Sequence, residues 1–97
     1  MEPIDRKFNF SAICTEHGET YTHHEAMVFL AKDKALVPTL EFYREECEKL
    51  GAMPAQMLGI DLLIERVRRY QAENQEKIKV ADIDLPEGER ILAPNEP

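Results

Sequence analysis

From Phe8 to Cys14 the chain alternates apolar and small polar residues, with Phe8, Phe10, Ala12 and Cys14 on one face. A period of two predicts a β-strand. Thr15-Glu16-His17-Gly18 is a short connection in which Gly18 can take a positive φ, and Glu19-Thr20-Tyr21 returns as the second strand. A hairpin this small needs a packing surface. Three helices are expected to supply it. Thr22-His23-His24-Glu25 has the spacing of a capping box, and the following Ala26-Met27-Val28-Phe29-Leu30-Ala31 is apolar on every side. A helix apolar all round belongs inside, so the first helix is expected at the centre of the domain.

Pro38 suits the first turn of a second helix running to about Leu50, with Gly51 as its stop. Leu36, Leu40, Tyr43, Cys47 and Leu50 recur at spacings of three and four and form one core-facing stripe. Pro54 opens a third helix that continues to about Glu73 or Asn74. Its apolar face is Met57, Ile60, Ile64 and Val67, with Leu63 and Tyr70 at the margin. Lys77 to Ile83 alternates again and predicts a short edge strand, its other face charged as an edge requires. The expected fold is α+β and mostly helical: an N-terminal β-hairpin packed on three helices, the second and third an antiparallel helical hairpin. Residues 1–85 form a single compact domain in this reading. Residues 86–97, with Pro94, Pro97 and Gly88 among them, form a loosely held tail.

Leu58 and Leu62 do not fit the third helix's apolar face. At about 100° per residue they project together on the side left for solvent, bordered by Arg66 and Arg69. Phe42 is likewise off the stripe of the second helix. A charge-rimmed apolar patch marks an interface. In a chain this small, Leu58, Leu62 and Phe42 predict a second packing partner, most simply another copy of the chain.

Charge then narrows the partners. Twelve basic against nineteen acidic residues give a net charge of −7, which repels nucleic-acid phosphates and argues against direct nucleic-acid binding. Glu41, Glu45 and Glu48 lie at helical spacing, an arrangement expected of a solvated helix face. The longest apolar run, Ala26 to Ala31, is far too short to span a membrane. The opening residues lack a basic segment followed by an apolar one, and two cysteines make no disulfide framework. These features predict a cytoplasmic, reduced protein.

Candidate chemistry concentrates between Cys14 and His24, which hold one Cys and all three His. Cys14-x-x-His17-Gly18 resembles one half of a zinc-ribbon knuckle, and a structural zinc needs four such ligands. His23 and His24 fall where the first helix is expected to start, a place where backbone amides attract anions. Arg66, Arg68 and Arg69 form a basic cluster suited to phosphate or carboxylate, set against intrahelical pairing such as Glu65 with Arg69. There is no nucleophile elbow, phosphate loop, His-Glu-x-x-His or dinucleotide fingerprint. The sequence therefore points to a non-enzymatic interaction or regulatory protein that binds a macromolecular partner. Small acidic single-domain proteins of this kind include inhibitors carried by bacteriophages. An oligomeric binder of a small anionic ligand such as a nucleotide is the first alternative, and a zinc-binding module the second.

Overall fold

The computed structural model describes residues 2–81 and 88–89. They fall into two compact units, one of residues 2–28 with 88–89 and one of Phe29–Ala81. Most of the tail expected over 86–97, and Asp82 and Ile83 of the expected edge strand, lie outside the described residues.

In the first unit, β1 (Ser11–Ile13) pairs antiparallel with β2 (Thr20–Thr22), in the register Ser11 to Thr22, Ala12 to Tyr21 and Ile13 to Thr20. The strands are shorter than the alternation predicts. The alternation survives in part: Phe8, Phe10 and Cys14 are half-buried and Asn9, Ser11 and Ile13 exposed, but Ala12, expected on the inner face, is exposed as well. Gly18 takes φ +74° in the connection, where its amide donates to the Cys14 carbonyl at 2.8 Å. A Cβ at Gly18 would meet nothing, so the backbone conformation is what favours glycine there.

The centre of this unit's hydrogen bonding is Asp5. Its Oδ1 accepts from the amides of Lys7 (2.9 Å) and Phe8 (2.8 Å), its Oδ2 from the amide of Val28 (2.8 Å), and its own amide donates to the His23 carbonyl at 3.0 Å. One buried carboxylate thus ties the N-terminal arm to a residue far along the chain. Bonds from the Phe8 and Val28 amides hold its carboxyl below the usual carboxylate range. The sign follows. A carboxyl with its pKa depressed on folding adds stability above its unfolded pKa of about 3.9 and loses it as pH falls through the lower folded value. The Val28 amide should therefore exchange slowly with deuterium at neutral pH and lose protection on acidification below about pH 4. In Asp5→Asn, which offers one acceptor oxygen where Asp5 offers two, protection should be low throughout. Equal protection in both proteins would contradict the clamp.

The first helix expected after Thr22 does not form. Residues 23–25 make one turn, in which the amides of Glu25 and Ala26 both donate to the Thr22 carbonyl at 3.0 Å, and residues 26–30 belong to no helix or strand. Thr22 does act as a cap, its Oγ1 accepting from the His24 amide at 3.3 Å and donating to Glu25 Oε2 at 3.0 Å. The cap organises a single turn. Propagation fails because the Val28 amide is drawn to Asp5, and because a short helix has little to offset its nucleation cost without burial on all sides. Met27, Phe29 and Leu30 are in fact exposed, so this stretch is not the core.

The second unit is a helical hairpin, as expected: α1 (Leu36–Lys49) and α2 (Pro54–Glu73), the two α-helices among the described residues. Its connection is determined in detail by sequence. Gly51 takes φ +86°, its amide donates to Glu48 O at 3.1 Å, and the Ala52 amide donates to Cys47 O at 2.9 Å. That pair of bonds is the Schellman stop, which favours glycine at this position. Pro54 then begins α2 where no intrahelical amide is needed, and the Met53 amide donates to Gln56 Oε1 at 2.8 Å. Among the described residues the buried hydrophobic ones are Leu36, Ile64 and Val67; Tyr43 and Leu50 of the stripe expected to face the core on α1 are exposed, because only part of that stripe is covered by α2. In place of the edge strand, Lys79 makes one parallel bridge with Asp33: the Lys34 amide donates to Lys79 O at 2.8 Å and the Lys79 amide to Lys32 O at 3.2 Å. Gln71 holds this segment on α2, its Nε2 donating to Ala31 O at 2.9 Å and Asp33 O at 3.0 Å.

Candidate functional site

The helical hairpin offers two unlike sides. On one, Arg44 of α1 makes a two-pronged ion pair with Asp61 of α2, and Arg68 Nη2 lies 2.8 Å from Glu41 Oε2. These pairs bridge the helices and use up the charge facing that groove. Ion pairs this exposed are screened by solvent, so they set register and side more than stability. Leu58 and Leu62 lie beyond this flank on the outer edge of α2, both exposed, one turn apart. Glu65 and Arg69 pair beside them at 3.5 Å.

Phe42 is exposed too, but it does not join them. It stands two residues from half-buried Leu40 and hence about 160° round α1, on the outer surface away from the Asp61–Arg68 flank. The three residues expected to make one patch thus divide into a leucine pair on α2 and a separate phenylalanine on α1.

The three arginines are not brought together either. Arg68 is engaged by Glu41 and Arg69 by Glu65, and Arg66 has no ion-pair partner among the described residues. At about 100° per residue the three guanidinium stems leave α2 in three directions, which is no pocket for a small anion. The acidic row of α1 is likewise broken by the use of Glu41 in an interhelical pair.

In the first unit, Cys14 and His17 flank the turn of the β-hairpin. His17 is exposed, with Nε2 3.9 Å from Glu16 Oε2. Among the described residues no group of three His, Cys, Asp or Glu side chains is placed to hold a metal ion. Both cysteines are free thiols, and Cys47 lies on the half-buried stripe of α1. His23 and His24 stack on each other with ring centroids 4.3 Å apart, and Phe10 sits 6.3 Å from His23. No helix begins behind them, so the helix-end anion site expected there is absent.

Two residues that organise the units escaped sequence reading, Asp5 and Gln71. Gln71 carried a signal: it continues the 57, 60, 64, 67 stripe by four, and a polar residue on a core stripe needs buried partners. Asp5 carried none, because its decisive partner, Val28, is remote in sequence. Among the described residues no helix is long and apolar enough to cross a membrane. Comparison with protein-family models, with curated proteins and with solved structures finds no match to the chain.

Proposed function

We propose that this chain is a non-enzymatic interaction protein that acts by binding a macromolecular partner, a second protein, through the outer edge of α2 at Leu58 and Leu62. One observation supports this above all. Leu36, Ile64 and Val67 are buried, while fifteen large apolar or aromatic side chains are exposed among the described residues. Single exposed apolar residues are ordinary, but a surplus on this scale calls for a covering surface. Leu58 and Leu62 stand together, rimmed by the Glu65–Arg69 pair, in the pattern of an apolar centre with a polar border. Occupying a partner's surface without chemistry of its own is the mode of a regulator or inhibitor, and the cytoplasm is its proposed setting. Divergent arginines give the anion-binding reading no comparable support.

Capture from a bacterial lysate tests the proposal. Wild-type bait should retain a discrete protein through moderate salt, since apolar contacts resist screening. Bait carrying Leu58→Asp and Leu62→Asp should lose it while keeping its helical circular dichroism, because neither side chain is buried. Nothing retained by the wild type, or the same protein retained by both baits, would contradict it.

A further inference from the structure

The side of the helical hairpin opposite the ion pairs has a second regularity. Tyr43 precedes Arg44 by one residue, and Leu63 and Tyr70 lie two residues after Asp61 and Arg68. At about 100° per residue, all three project from the side away from those pairs. Leu36, Tyr43 and Leu50 are spaced by seven along α1 and its cap, and Gln56, Leu63 and Tyr70 by seven along α2. Leu40 and Cys47 fill the intervening three-and-four steps on α1, and Ile60 and Val67 those on α2. The apolar sector of α2 is therefore broad. Met57, Ile60, Ile64 and Val67 are its half-buried and buried positions, and Ile60, Leu63, Val67 and Tyr70 form an overlapping stripe turned toward the open side. A helix with two overlapping stripes is what each member of a four-helix bundle needs, because it packs on its hairpin neighbour and on the bundle axis together.

We infer that this open side is the seam of a homodimer, in which two helical hairpins stack their Tyr43–Leu50 and Leu63–Tyr70 rows into a four-helix bundle. The occupant is a second copy for two reasons. The first is area. Tyr43, Leu50, Leu63 and Tyr70 are 56%, 87%, 39% and 36% exposed. At about 200 Å² per large side chain that is on the order of 400 Å² of apolar surface per copy. Homodimer interfaces are about 65% apolar, so two such faces imply roughly 1,200 Å² in total, at the lower end of stable interfaces. The second reason is charge. Two chains of net charge −7 repel, and the side that lets them meet must carry little of that charge. The charged residues within its rows are Glu46 and Arg66, three residues on from Tyr43 and Leu63, and their opposite charges cancel, so this side adds nothing to that repulsion. The seam is open chiefly at its Gly51 end, since Leu36 at the other end is buried. The turn ends of the two copies therefore overlap.

Light scattering of the full chain, from about 1 μM to about 1 mM, is the test. The mass should rise from 11.2 kDa toward twice that value, and added salt should favour the dimer by screening the like charges. Leu63→Glu and, separately, Leu50→Glu should each weaken association roughly ten-fold or more. Leu50 is the safeguard against misfolding, being almost wholly exposed. Leu58→Glu, on the other side, should dimerise as the wild type does. A wild type monomeric throughout the range would overturn the inference. So would Leu50→Glu and Leu63→Glu proteins that keep their helicity and dimerise unchanged, or loss of the dimer on Leu58→Glu alone. Partner capture through Leu58 and Leu62 is a separate reading and would survive any of these results.

Discussion

Ile64→Ala is expected to destabilise the helical hairpin by about 2–5 kcal/mol, the range for truncating a buried aliphatic side chain that leaves a cavity. The reason for so large an effect at one residue is the size of the core. Ile64 shares burial with Leu36 and Val67, and the other large apolar residues of the unit remain partly or largely exposed. Native domains are stable by only about 0.05–0.15 kcal/mol per residue, so a loss in this range removes most of what the unit has. Loss of α1 and α2 should follow together, as a lower melting temperature read by circular dichroism at the helix band. Leu58→Ala, six residues earlier on α2 and exposed, should shift it little. A loss under about 1 kcal/mol for Ile64→Ala would mean that the core lies elsewhere.

Gln71→Leu should be the next most damaging change. The side chain keeps its volume but loses both donor bonds, leaving the Ala31 carbonyl without the amide that satisfies it, while the Asp33 carbonyl keeps the Leu36 amide at 3.0 Å. A part-buried group left unpaired costs about 1–3 kcal/mol, and the Ala31 carbonyl is that group here. The damage should be local before it is global. Residues 31–34 and Lys79 depend on Gln71 for their attachment to α2, so the Lys34 and Lys79 amides should exchange faster while amides within α2 hold. Gln71→Glu, which offers acceptors alone, should behave at least as badly at neutral pH. Unchanged exchange at Lys34 and Lys79 in Gln71→Leu would show that the segment is held by something other than this amide.

The helical hairpin was legible from residues alone because its determinants are local. Gly51 needs positive φ, Pro54 needs no amide partner, and the 57–60–64–67 stripe names two of the three hydrophobic residues buried among those described. The stretch from Ala26 to Ala31 misled for the opposite reason. Its cap and its apolarity are both real, but whether an all-apolar run becomes a buried helix depends on what surrounds it. The competing partner, Asp5, lies more than twenty residues away. Period and propensity are blind to such a bond. The interface residues show the same division. Leu58 and Leu62 share a face because α2 is regular, whereas placing Phe42 beside them required knowing which flank of α1 faces Asp61 and Arg68. The pairs Arg44–Asp61 and Arg68–Glu41 supplied that orientation, and with it the Tyr43–Leu63 side.

Site-specific photo-cross-linking tests the proposed function most directly. A photoreactive phenylalanine analogue in place of Leu62 would sit on the outer edge of α2, and the same group in place of Glu45 on an exposed, charged part of α1. In a bacterial lysate under illumination, position 62 should form a discrete adduct with a protein other than this chain, and position 45 should not. Equal labelling from both positions, or adducts from position 62 to this chain alone, would contradict a partner-binding surface at Leu58 and Leu62.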